Sequence, residues 1–159
     1  MKYLLLLLLT TTVLADDLTV KYGPGVFQSA KNGHETLNAT LGYQKELLYL
    51  LSYQIEVGGW SDKRIDLGRR SSMYGSYSIG STVNASYMYA EAFLGVAGIT
   101  NPDSYLGGHF QFNNDLGIGF RDKYGKRIGI NYKHMSSAGL YNPNVGRDFL
   151  LLKLSFDIF

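Results

Sequence analysis

His134, Ser136 and Asp148 are the residues whose types and spacing suit covalent catalysis. A serine hydroxyl becomes a nucleophile only beside a base. An imidazole base in turn needs a carboxylate to fix its tautomer and stabilise the imidazolium that forms, and the three together perform acyl transfer. Side chains on an extended strand repeat every two residues, so His134 and Ser136 point to one face. The segment that follows carries Gly139, Asn142, Pro143, Asn144 and Gly146, a concentration of turn formers that reverses the chain. Such a turn can bring Asp148, at the start of the returning strand, back alongside both His134 and Ser136.

Other chemistry-bearing residues have simpler readings. His34 and His109 lack a comparable partner pattern and are expected at strand ends in solvent. Gly58-Gly59-Trp60 reads as a strand end with a Trp at the membrane interface. Asp62 and Asp66 fall in a polar run, residues 61–70, expected to be a solvated loop rather than a cation site. The sequence has no His/Cys spacing of the zinc type and no phosphate-binding loop, so neither a metal nor a cofactor is expected.

These groups must be presented by a scaffold, and the first residues say where it works. Lys2, the apolar stretch over residues 4–9 with Val13 and Leu14, and the small residue Ala15 form a secretory signal peptide over residues 1–15. Residues 16–159 are then expected to be one exported domain. There is no Cys, hence neither a lipoprotein anchor nor a disulfide framework. With 15 Lys and Arg against 13 Asp and Glu, and Lys2 in the leader, the exported chain is close to charge balance, which argues against nucleic acid as a partner. Thirteen Tyr, eight Phe and nineteen Gly beside three Pro suit a curved sheet with interfacial aromatics. No run after residue 15 approaches the ~18 apolar residues of a transmembrane helix.

Period-two alternation predicts eight strands. They are expected over residues 17–27, 37–44, 47–57, 73–79, 88–96, 110–120, 128–132 and 150–158, with turns at residues 31–33, 83–85 and 124–125 and Gly23-Pro24-Gly25 as a bend in the first strand. Eight alternating strands of an exported chain match a small all-β, eight-stranded antiparallel transmembrane β-barrel in the outer membrane, with the apolar row facing lipid. The opposite row carries Glu56, Glu91, Lys133, Lys153 and Asp157, charges that pair in a polar lumen. The competing architecture is a lipocalin-like soluble barrel with its apolar row turned inward around a ligand. His134, Ser136 and Asp148 continue the rows assigned to lipid, where polar groups are costly unless they pair or sit at the rim.

The last third of the chain resembles the PagL family of outer-membrane lipid A 3-O-deacylases. The resemblance is carried by His134-Met135-Ser136, the Asn/Gly-rich turn with Asn144, the acidic Asp148, and Phe112 one strand earlier. It implies an eight-stranded barrel in a Gram-negative outer membrane with its catalytic groups on the outer surface. On that reading Ser136 is the nucleophile, His134 its base and Asp148 the orienting acid. Asn144 with backbone N–H groups of residues 137–146 forms the oxyanion site, and Phe112 packs against the acyl chain or closes the groove. The substrate is lipopolysaccharide, the surrounding partner is outer-membrane lipid, and a homodimer is compatible with the reading. Two features depart from the family. Its usual acid is Glu, one methylene longer than Asp148, and Phe159 closes the chain one residue out of phase with the apolar row. The competing functions are a non-catalytic barrel, adhesive or structural, and a soluble carrier of apolar ligands.

Overall fold

The computed structural model describes residues 16–27, 35–48, 50–64, 68–102 and 105–158. The expected leader, the turn at residues 31–33, His34, Asp66 and Phe159 lie outside the described residues. Eight strands, β1 (Asp16–Val26), β2 (Glu35–Leu48), β3 (Leu51–Arg64), β4 (Gly68–Ala85), β5 (Met88–Ile99), β6 (Phe110–Arg121), β7 (Arg127–Ser136) and β8 (Arg147–Asp157), pair with their sequence neighbours. β1 closes on β8, giving a closed barrel that is antiparallel throughout. Both described termini lie at one end, where Asp17 opposes Asp157. The segment between β7 and β8 lies at the other.

Several boundaries differ from those read in the alternation. Residues 61–70 are not a loop: β3 and β4 pair beyond the apolar rows, with Asp62 opposite Arg70 and Lys63 opposite Arg69. Leu47 belongs to β2 rather than β3, and β4 runs through residues 83–85 to turn at Ser86 and Tyr87. Hydrophobic alternation ends where a strand leaves the bilayer, whereas the backbone ladder continues wherever N–H and C=O groups find partners. β1 likewise passes through Pro24 without ending.

The direction of the rows decides the class of barrel. Leu41, Val57, Leu94, Ile118, Ile130 and Leu152 are exposed on the outer wall. The interior is filled by charge: Lys21 bridges Glu56 at 2.9 Å and also pairs with Asp115, while Lys133 pairs with Glu56 and lies 3.4 Å from Asp115. Nearer the termini, Lys153 meets Glu91 at 2.6 Å and Gln44 at 3.0 Å. Burial of such ions is tolerable only because each is paired. This is the reverse of a lipocalin-like carrier, which needs an apolar lumen. Asp157, expected in the lumen, instead sits exposed at the rim of the terminal end, because β8 ends there.

Toward the other end the lumen is closed by an apolar plug of Trp60, Tyr74, Leu106, Met135, Phe149 and Leu151. Trp60 is therefore not interfacial. It shares the inward row of Glu56 and Gly58 and packs against Tyr74 and Phe149, each with ring centroids at 5.8 Å. Asp62 is not solvated either: it is buried, and its Oδ2 accepts from Arg147 Nη2 at 2.9 Å. Met135 and Phe149 are the inward neighbours of His134 and Asp148, so the two strands that carry the outward site are anchored in the plug.

Candidate active site

His134 on β7 and Asp148 on β8 are in register, directly opposite each other. Side chains of such a pair rise from Cβ atoms about 5 Å apart, and here His134 Nδ1 lies 2.8 Å from Asp148 Oδ1. The imidazole side chain is 29% exposed and the carboxylate 7%. Engagement of Nδ1 by the acid leaves Nε2 as the nitrogen able to take a proton. The same Oδ1 accepts a hydrogen bond from the Tyr132 hydroxyl.

Ser136 continues the outward face of β7 beyond His134 and is half-buried. Residues i and i+2 of a strand are separated by roughly 6.7 Å along the chain, and among the described residues Ser136 Oγ makes no hydrogen bond to His134. Across the barrel wall Ser136 faces Phe112 in register, and His134 faces Asn114. Phe112 is exposed and meets Phe110 edge-on, with centroids at 5.6 Å. Ser137, the next residue, is fully buried, and its Oγ accepts the Tyr141 N–H at 3.4 Å.

The chain turns immediately after Ser137. Ala138 and Gly139 take φ of 49° and 87°, and Leu140 N–H donates to Ser137 O at 3.0 Å. The amides of Ala138 and Gly139 are drawn into no hydrogen bond among the described residues. Asn144 Oδ1 accepts the Ser137 N–H at 2.8 Å. That bond ties the exposed far side of the turn to the end of β7 and leaves the Asn144 amide nitrogen as a donor. The bond from Ser137 N–H to Asn144 Oδ1 has no counterpart in the sequence reading, which assigned Asn144 only an oxyanion-donor role.

A second loop holds this turn in place. Tyr105, between β5 and β6, accepts the N–H groups of Val145 and Gly146 on its carbonyl at 2.8 and 3.2 Å, and its ring lies 4.3 Å from the Arg147 guanidinium. Gly146 must be glycine for two reasons: its φ is +84°, and a Cβ there would stand 2.8 Å from His134 Cε1. Gly108 similarly allows the Tyr141 ring to pass, since a Cβ would lie 2.3 Å from Tyr141 Cδ2. His109, next in this loop, stays exposed and is tied through Nδ1 to Ile99 O at 2.8 Å.

The structure therefore brings His134 and Asp148 into contact, sets Ser136 and Phe112 beside them on the same outer face, and places Asn144 on the adjoining turn. Tyr132, the loop carrying Tyr105, and the Arg147–Asp62 pair adjoin these residues and have no place in the sequence reading of the site. Alternation already placed Tyr132 on the outward row two residues before His134, a signal that was present. The partner of Arg147 lies far away in sequence and left none.

Comparison with known proteins adds a family and a fold. A family model described as lipid A 3-O-deacylase (PagL) matches residues 47–157. The lipid A deacylase PagL of Bordetella bronchiseptica (strain ATCC BAA-588 / NCTC 13252 / RB50) is 35% identical over 71 residues, 43% of this chain. The match spans 40% of the length of that relative. Among solved structures, the crystal structure of the outer membrane enzyme PagL superposes with a TM-score of 0.66 at 21% identity, covering 89% of this chain and 99% of that one. A de novo designed transmembrane β-barrel gives 0.60 at 10% identity, with 91% and 95% covered. The Yersinia pestis outer membrane protein Ail gives 0.53 at 14%, with 89% and 99% covered. At these identities the structural likenesses concern the barrel alone.

Proposed function

Because the chain belongs to the lipid A 3-O-deacylase (PagL) family, matched over residues 47–157, we propose that it is an outer-membrane esterase that removes a 3-O-linked acyl chain from the lipid A of lipopolysaccharide. The observation that carries this reading is the His134–Asp148 pair at 2.8 Å, with Ser136 one pleat further along the lipid-facing wall. A membrane barrel gains nothing in stability from a buried acid, an imidazole and a serine turned toward lipid. The end of the barrel opposite the termini faces outward in this reading, so the site meets the leaflet where lipopolysaccharide lies.

In the reaction Ser136 Oγ transfers its proton to His134 Nε2 and attacks the ester carbonyl carbon. The Nδ1–H donates to Asp148 Oδ1 throughout, which fixes the tautomer and stabilises the imidazolium. The oxyanion is met by the unengaged amides of Ala138 and Gly139 and by the Asn144 side-chain amide, donors of the kind worth about 3–4 kcal/mol each in transition-state stabilisation. Collapse of the intermediate breaks the ester C–O bond, and the leaving sugar oxygen takes the proton from His134. The acyl group now sits on Ser136. Water then gives a proton to His134 and attacks the acyl carbon, releasing the fatty acid and restoring the serine. Phe112, in register with Ser136, supports the acyl chain beside the nucleophile.

Mass spectrometry of lipid A from Gram-negative cells with and without the protein tests this function. Loss of one hydroxyacyl chain is the expected change. Unaltered lipid A around a correctly folded barrel would favour the non-catalytic alternative.

A further inference from the structure

Tyr132 presents a polar atom where the barrel wall calls for an apolar one. It follows Ile128 and Ile130 on the outward row of β7, within the band that meets lipid. A tyrosine in an aromatic belt sends its hydroxyl to headgroups, but here the hydroxyl is turned onto Asp148 Oδ1 at 2.5 Å. The register explains how it reaches. Tyr132 opposes Leu150 while His134 opposes Asp148, so Tyr132 and Asp148 are diagonal neighbours, a separation that only a long or aromatic side chain spans.

The ring is itself held. Phe27, just past β1, meets it edge-on with centroids 6.2 Å apart and planes at 73°, and Val26 opposes Asp148 from the β1 side. Asp148 is thus flanked by β1 and β7 and buried, with its Oδ1 receiving two donors, the Tyr132 hydroxyl and His134 Nδ1. A carboxylate that turns about its side-chain bonds holds an imidazole only as well as it is held. The donor bond from Tyr132 removes that freedom.

We propose that Tyr132 is a positioning residue of the reaction: its hydroxyl locks the Asp148 carboxylate in the rotamer that orients His134, and the Phe27 edge keeps the Tyr132 ring in place. This rests on the triad reading and adds a fourth member that touches neither substrate nor the reacting atoms. Its effect passes through the acid, so it belongs to turnover rather than to substrate binding.

The test is a double-mutant cycle on the full barrel folded in detergent, with release of the hydroxyacyl chain from lipid A as the readout. Tyr132→Phe should lower kcat about tenfold, the scale of a hydrogen bond to a charged group, with KM within about twofold and heat-modifiable gel migration unchanged. In an Asp148→Ala background, the same substitution should change the residual kcat by less than about twofold. A Tyr132→Phe enzyme with the wild-type kcat overturns the inference, as does a full tenfold penalty persisting without Asp148. Tyr132→Leu should match Tyr132→Phe. A slow Leu variant beside a fast Phe variant assigns the effect to ring packing and also overturns it. Failure of the triad itself reads differently: Asp148→Ala would then turn over at the wild-type rate.

Discussion

Phe112 on β6 and Ser136 on β7 face each other in register on the outer wall of the barrel. An aromatic ring and a serine hydroxyl are thereby fixed side by side on the outer wall, and in the proposed function this is where the acyl chain is held. Phe112→Ala removes that apolar support without touching the proton-transfer groups. KM should rise about tenfold, the worth of part of a buried aromatic side chain, with kcat reduced less. Steady-state kinetics on lipid A in detergent micelles would measure both.

In the proposed mechanism Asp148 acts by orientation, with His134 Nδ1 2.8 Å from its Oδ1. Asp148→Ala should therefore lower kcat by roughly a thousandfold or more, in line with loss of the acid from a Ser-His-acid triad. Asp148→Glu restores a carboxylate one methylene longer, the acid usual in the resembled family, and should retain or raise activity. An Asp148→Glu enzyme as slow as Asp148→Ala would mean that the longer acid cannot reach the imidazole from this backbone.

Stability rests on the other face of the same strands. Lys133, between Tyr132 and His134, turns inward and pairs with Glu56 and Asp115. Lys133→Met leaves Glu56 and Asp115 with Lys21 as their shared cation among the described residues, and breaking a buried pair from one side costs about 3–5 kcal/mol. The heat needed to convert the folded to the unfolded gel form should fall accordingly. Activity per folded molecule should be little changed, because the charge points away from the site.

Alternation carried most of the fold. The outward rows of β6, β7 and β8 were legible from Leu116, Ile130 and Leu152, and parity alone put His134, Ser136 and Asp148 on the lipid side. It failed where side chains stop reporting on the bilayer while the backbone stays paired, as at Asp62 and Lys63, and where the interior turns apolar, as at Trp60. In the site, the facing of His134 by Asp148 was legible because one short turn separates their strands. The diagonal reach of Tyr132 needed the exact register, and the clamp from Tyr105 onto Val145 and Gly146 needed contacts between two loops that no local pattern encodes.

In the proposed mechanism Ser136 performs the nucleophilic step, which single-residue replacement in the folded barrel isolates. Purified Ser136→Ala should migrate as a heat-modifiable barrel and release no acyl chain from lipid A by mass spectrometry. His134→Ala should behave alike, since neither side chain is needed to close the barrel. Ser137 offers no substitute, being fully buried with its hydroxyl engaged by Tyr141 N–H. Release of the acyl chain by folded Ser136→Ala at the wild-type rate would rule Ser136 out as the nucleophile.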